Sequence, residues 1–78
     1  MKLHLGGQFS FYLPGHPAWV DVDLPEPVLL SEVLLRLGIP PAEVHLAAVN
    51  GELVELDTAV VGPGDVARIF PPIGGGAG

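Results

Sequence analysis

The chain has 78 residues, 49% of them hydrophobic, which is enough for one compact domain but too little for a core and a deep enzyme cleft together. It contains no cysteine, which excludes a disulfide scaffold, a cysteine-ligated metal and a thiol nucleophile. The net charge of −6, with three Lys and Arg residues, argues against nucleic acid as a ligand, because a phosphate-binding surface needs clustered cations. No apolar run approaches membrane-spanning length and MKLHLGG has no signal-peptide pattern, so we expect a cytoplasmic protein that does not bind membranes.

The first third of the chain contains two alternating stretches. Residues 1–5, MKLHL, place Met1, Leu3 and Leu5 on one side, as in a half-buried strand. Residues 18–24, AWVDVDL, alternate in the same way and predict a second strand, antiparallel to the first. The segment between them, residues 6–17, fits either a strand or a helical turn, so its structure stays open.

The middle of the chain changes to the period of a helix. Four apolar residues recur at the spacing of one helical face: Leu30, Val33, Leu34 and Leu37. We expect Leu34 and Leu37 to be buried beneath a sheet. Gly38 and the following Ile-Pro-Pro end the helix, whereas Leu29 lies where a capping Ser or Thr would be expected.

The last part reads as three strands. Residues 43–49 and 52–56 flank Asn50-Gly51, a dipeptide that tolerates positive φ at both turn positions. A second tight turn, residues 62–65, leads into a final strand over residues 66–70, and Asp65 is best explained as a turn former. The element order predicts an α+β protein with a ubiquitin-like β-grasp fold, in which one main helix packs across one face of a mixed sheet. The last strand would then lie centrally.

The end of the chain, PPIGGGAG, has two interpretations. It is either an inert flexible end or a thin tail that carries the C-terminal carboxylate into another protein's active site. The prolines and the strand before them favour a functional tail, because they fix the direction in which it leaves. Glycines suit a narrow channel, where a Cβ would clash.

Two stretches resemble a known family. Residues 49–76, VNGELVELDTAVVGPGDVARIFPPIGGG, resemble the C-terminal half of the small sulfur-carrier proteins of the ThiS/MoaD family, and residues 34–44, LLRLGIPPAEV, look like that family's helix and its exit. The run Phe-Pro-Pro-Ile is more similar to the molybdopterin-synthase small subunit than to the thiamin carrier. The resemblance divides the chain into a β-grasp domain, residues 1–73, and a flexible glycine-rich tail, residues 74–78.

The resemblance implies a carrier that is not itself an enzyme and binds no cofactor. An E1-like partner would use ATP to adenylate the terminal glycine carboxylate, which then becomes a thiocarboxylate. A sulfur-accepting synthase subunit would receive the sulfur, in molybdopterin or thiamin biosynthesis or a related thiolation. Because a few glycines offer too little apolar surface to hold an E1-like enzyme, we expect residues at the tail's root to contact the partner: Phe70, Pro71, Pro72, Ile73 and Gly74.

The reactive end itself departs from the family's pattern. Gly75 and Gly76 match the family's final Gly-Gly, but Ala77 and Gly78 follow them. Either these two residues are removed, or Gly78 is the reactive end, or the chemistry has been lost. Counted from Phe70, the family's terminal glycine falls on Gly76, so we expect removal.

Two other classes of function remain possible from the residues. One is a protein modifier joined to a substrate lysine, although the chain's single lysine, Lys2, leaves little scope for chains linked through the protein itself. The other is a β-grasp interaction module with a chemically inert tail. Trp19 is either a partner anchor or, more commonly for a lone Trp, a cover for the core. The histidines are scattered and predict no metal site: His4, His16 and His45.

Overall fold

The computed structural model describes residues 1–72, which fold into seven short strands, one α-helix and two 3-10 helices. In chain order these elements are β1 (Lys2–Leu5), the first 3-10 helix (Gly7–Tyr12), β2 (Trp19–Asp21), β3 (Val28–Leu29), α1 (Leu30–Leu37), the second 3-10 helix (Pro41–Glu43), β4 (Leu46–Val49), β5 (Glu52–Val54), β6 (Val60–Val61) and β7 (Val66–Phe70).

Five of the strands form one mixed sheet in the order β2-β1-β7-β4-β5. The last strand, β7, lies in the middle, parallel to β1 and antiparallel to β4. β2 is antiparallel to β1. The predicted β-grasp fold is therefore confirmed, including the central place of the last strand.

The core lies between α1 and one face of this sheet. Leu30, Val33 and Leu34 of α1 are buried, whereas Leu37 is half-buried at the end of the helix. The prediction for Leu34 is thus confirmed and that for Leu37 is met only in part. The sheet contributes the inward residues of its three middle strands: Leu3, Leu5, Ala47, Ala67 and Ile69.

The start of α1 depends on a strand pair that the sequence analysis missed. β3 and β6 form a separate two-stranded antiparallel sheet. The N-terminal cap position, Leu29, offers no side-chain hydrogen bond, but the Leu30 N–H donates to the Ala59 carbonyl at 2.9 Å. The neighbouring segment therefore replaces the missing capping side chain. At the other end Gly38, with φ of 80°, ends the helix as predicted.

Residues 6–17, whose structure the sequence left open, and the strand predicted over residues 18–24 are both less extended than an alternating pattern would suggest. Residues 7–12 form a 3-10 helix in which Phe9 is buried, so the helical alternative is the right one. β2 ends at Asp21 rather than at Leu24. Backbone bonding reaches one residue further, because the Val22 N–H donates to the Met1 carbonyl and the Met1 amino group donates to the Val22 carbonyl.

The hairpin strands are also shorter than predicted. β4 begins at Leu46, because Pro40 and Pro41 start a 3-10 turn in which the Glu43 N–H donates to the Pro40 carbonyl. β5 ends at Val54, because the Glu55 carbonyl accepts the Ala59 N–H and turns the chain. The turn between the strands is as predicted, with positive φ at residues 50 and 51.

The start of β7 is fixed by side chains of two turns. Asp65 accepts hydrogen bonds from the side-chain amide of Asn50 at 2.9 Å and from the Gly62 N–H at 2.7 Å. Asn50 in turn accepts the Val66 N–H at 3.0 Å. The hydrogen bond from Asn50, and then that from Gly62, lower the pKa of Asp65. Asp65 is the turn former that the sequence indicates.

Replacing Leu34 with alanine should strongly destabilise the fold. Its side chain is fully buried, so truncation removes apolar contacts and leaves a cavity that costs about 2–5 kcal/mol of unfolding free energy. Denaturant unfolding measures this loss. The matched control is Leu35→Ala, one position away and 64% exposed, which should stay within about 0.5 kcal/mol of the wild type. Equal stability of the two variants would contradict the observed face of α1.

The stability of the fold should depend on pH through Asp65. Its pKa is lowered from 3.8, so ionised Asp65 stabilises the folded state above that value, and this contribution is lost as pH falls through the lower folded-state pKa. Denaturant midpoints of the wild type and Asp65→Asn, measured between about pH 6 and pH 2, should converge in acid. Asp57→Asn, at an exposed position, is the control and should follow the wild type. A constant gap between wild type and Asp65→Asn would contradict this role.

Candidate functional site at the end of β7

The C-terminal end of β7 is held from both sides. The Gly6 N–H donates to the Ile69 carbonyl at 2.9 Å, and the His45 N–H donates to the Phe70 carbonyl at 2.8 Å. Pro71 has no N–H and cannot continue the ladder, so regular pairing ends at Phe70. The segment that follows therefore leaves from a fixed point in the middle of the sheet.

Three of the predicted partner-binding residues lie together at this exit. Phe70 and Pro71 are half-buried and Pro72 is exposed, and all three line an open groove of about 500 Å³. Three residues from other elements complete its lining: Gly7, Gln8 and Leu46. The remaining predicted site residues lie outside the described residues: Ile73, Gly74, Gly75, Gly76 and Gly78.

The exit opens onto the face of the sheet opposite α1, which we call the open face. Paired residues of a sheet share a face, and the register links five outward positions in one row across it: Trp19, His4, Arg68, Ala48 and Leu53. Phe70 lies two residues after Arg68 on the same side and pairs with Leu46. The tail exit and the open face thus form one continuous surface.

An aromatic and cationic cluster occupies the middle of the open face. The Arg68 guanidinium lies over the Trp19 ring, 5.1 Å from its centroid, and the His4 ring meets Trp19 edge to face at 4.9 Å. Trp19 is 45% exposed and points away from the core. The interpretation of Trp19 as a core cover is therefore wrong, because its place in the β1–β2 register puts it on the open face with His4.

Further aromatic surface flanks the exit on the first 3-10 helix. Phe11 is 66% exposed and lines a shallow depression beside the exit groove. Gln8 lines both this depression and the groove, so the two surfaces are adjacent. The Tyr12 hydroxyl donates to the Glu43 carboxylate, which raises the pKa of Tyr12. This bond ties the first 3-10 helix to the second and keeps the flank beside the exit in place.

Residues 1–72 contain neither a metal-ligating cluster nor a helix that could cross a membrane. No three His, Cys, Asp or Glu side chains within this range lie close enough together to hold a metal ion. The same range has no helix of sufficient length and apolarity to cross a bilayer. The three histidines lie on β1, on the loop before β2 and just before β4.

Sequence reasoning found the strand that leads to the exit but missed its neighbours. Leu46, Arg68 and Gly7 were not singled out. Alternation along β7 already places Arg68 and Phe70 on the same side, so it could have located that part of the open face. The contacts of Leu46 and Gly7 with the exit depend on which strands become neighbours and in which register. No pattern in the sequence near either residue predicts them.

The sheet order, the single main helix and the exit from a central last strand define the ubiquitin-like β-grasp class of protein. Within that class, the sequence profile of the ThiS family matches residues 15–76. The chain belongs to the ThiS family.

Two solved structures of a thiamine biosynthesis protein from Geobacter metallireducens are similar to this chain. The crystal structure, described as ThiS, has 28% identity and a TM-score of 0.58, with 97% of this chain and 100% of that chain covered. An NMR solution structure has 29% identity and a TM-score of 0.54, with 97% and 88% covered. Among curated proteins, none is significantly similar to the sequence. The leaning of Phe-Pro-Pro-Ile towards the molybdopterin type stays a prediction.

Proposed function

We propose that this chain is a sulfur-carrier protein whose C-terminal glycine carboxylate is activated by an E1-like enzyme. The observation that carries the proposal is the family match, which extends through the exit to Gly76 and so includes the glycine pair. Because the similar solved structures are described as those of a thiamine biosynthesis protein, we favour sulfur delivery to a thiamin-forming synthase subunit. On this proposal the chain is the substrate of its partners rather than an enzyme, and its predicted location remains the cytoplasm.

The proposed chemistry makes an unreactive carboxylate into an acyl donor. A carboxylate oxygen of the terminal glycine attacks the α-phosphorus of ATP on the partner, and pyrophosphate leaves. A sulfide-level sulfur nucleophile supplied by the partner then attacks the acyl carbon. The new carbon–sulfur bond gives the thiocarboxylate, and AMP leaves with the carboxylate oxygen. ATP is held by the partner, and this chain contributes the glycine carboxylate and the surface by which the partner recognises it.

The open face and the exit groove are the surface that we assign to the E1-like enzyme. They are continuous with the strand that carries the tail, so a partner that binds the tail also covers them. The surface offers what interfaces use: a half-buried Phe70, an exposed Trp19 and an Arg68 already stacked on it. A few glycines alone bury too little apolar area to provide stable binding.

Phe70→Ala should weaken binding to the host's E1-like enzyme by about 30-fold, because a buried aromatic anchor contributes about 2 kcal/mol or more to an interface. Isothermal titration calorimetry measures the affinity, and circular dichroism checks that the variant is folded. Leu35→Ala is the control, since Leu35 is an equally apolar, exposed residue on the helix side. Undiminished binding by folded Phe70→Ala would remove Phe70 from the interface.

A chain that ends at Gly76 should be adenylated faster than one that ends at Gly78. Reacting atoms must lie within about 3–3.5 Å, and a two-residue overshoot places the carboxylate beyond the α-phosphate. Pyrophosphate release with ATP and the host's E1-like enzyme compares the two, and a chain that ends at Gly75 tests the length from the other side. Equal or faster turnover of the full chain would contradict removal of Ala77-Gly78, whereas no turnover by any of them would count against the carrier function.

A further inference from the structure

Gly6 and Gly7 lie directly against the root of the tail. Gly6 is buried, follows the last residue of β1 and donates its N–H to the Ile69 carbonyl at 2.9 Å. Gly7 begins the first 3-10 helix and lines the exit groove next to Pro71. Two consecutive glycines thus face two consecutive residues of the departing chain, Phe70 and Pro71.

Neither glycine has room for a side chain. A Cβ on Gly6 would lie 2.7 Å from both the Ile69 carbonyl oxygen and the Phe70 Cδ1 atom. A Cβ on Gly7 would lie 2.7 Å from Cγ and 3.1 Å from Cδ of Pro71. Carbon atoms do not approach that closely, so a methyl group at either position would displace the tail's root.

Other glycines of the fold serve a different purpose. Gly15, Gly38 and Gly51 also have positive φ, between 78° and 86°, but a Cβ on any of them would meet open space within 4 Å. They are explained by backbone conformation alone. Close approach to the tail's root distinguishes Gly6 and Gly7 from these three glycines.

We propose that Gly6 and Gly7 are positioning residues that aim the C-terminal tail. The inference rests on the proposed function. Rings fix φ at Pro71 and Pro72, and the residue before a proline is itself restricted, so little freedom remains at the root once the Pro71 ring rests on Gly7. The contact therefore sets the direction in which the chain leaves Pro71.

The position of the root limits where the reactive end can lie. Five residues from Pro72 to Gly76 reach at most about 17 Å, so a displaced root changes which positions the terminal carboxylate can reach in a partner's active site. A misplacement of about 1 Å is enough to slow a positioned reaction by about 100-fold. Contact between glycine backbone and Pro71 therefore matters for the chemical step even though it is remote from the carboxylate.

The test compares Gly7→Ala with Gly15→Ala. Both substitutions place alanine at positive φ, 55° and 78°, and so add a similar backbone strain, but only the first adds a methyl group against Pro71. Steady-state pyrophosphate release with the host's E1-like enzyme should show a kcat at least tenfold lower for Gly7→Ala; KM should change less than kcat, because Gly7 lines one edge of the exit groove and the substitution leaves the open face unchanged. Gly15→Ala should keep wild-type kcat and KM.

A second variant and a second readout keep the test decisive. Gly6→Ala adds no positive-φ strain, since φ of Gly6 is −75°, and it should also lower kcat. It therefore provides the test if Gly7→Ala fails to fold. In the isolated protein, NMR should show nuclear Overhauser contacts between the Gly7 α-protons and the Pro71 ring, and Gly7→Ala should shift the resonances of residues 72–76.

The outcomes separate this inference from the proposed function. Wild-type kcat in folded Gly7→Ala and Gly6→Ala, or an equal loss in Gly15→Ala, would overturn the positioning role while leaving the carrier function intact. If the unsubstituted chain is not adenylated, the proposed function fails, and the NMR contacts alone then decide whether Gly7 supports Pro71. Their absence would overturn the inference.

Discussion

The pairing of β7 on both of its sides is the constraint on which the rest of the structure depends. β7 lies between β1 and β4 and is the strand that joins the two halves of the sheet. These three strands together contribute much of the buried core. The strand is fixed at its start by Asp65 and Asn50 and at its end by hydrogen bonds from Gly6 and His45. Because both ends are fixed, the residue that follows Phe70 leaves from a rigid frame, and on the proposed function this lowers the entropy lost when the E1-like enzyme binds the tail.

The two faces of the sheet have separate tasks. α1 covers the face that holds the core, and the opposite face keeps its aromatic and cationic residues accessible. The chain has a net charge of −6, yet two of its three cations, Lys2 and Arg68, lie on outward positions of the open face. Net charge alone would suggest a basic partner, whereas the open face carries Lys2 and Arg68 together with the carboxylate of Asp21, which is the register partner of Lys2. The charges within a contact surface matter more for binding than the net charge of the chain, because charges beyond about 8 Å are screened at physiological ionic strength.

Local patterns were sufficient for the elements whose stability is local. The apolar spacing of α1, the Gly38 stop, the Asn50-Gly51 turn and the alternation of β7 were all predicted and are observed. The resemblance also placed Phe70, Pro71 and Pro72 at the exit, where the structure brings them together. These features depend on neighbours in the chain, since helical and strand periods, capping and turn geometry are properties of a few consecutive residues.

Only the tertiary structure decided features that join distant residues. The segment that forms the β3–β6 pair replaces a helix cap that the sequence lacks. Strands end where their hydrogen-bonding partners end. Trp19 lies on the open face because of its register with His4. The contact between Gly7 and Pro71 joins residues 64 positions apart, which no periodicity predicts. By itself the sequence determined the helix, the turns, the last strand and the family. The surface around the exit was decided by packing and register, because both depend on which strands become neighbours.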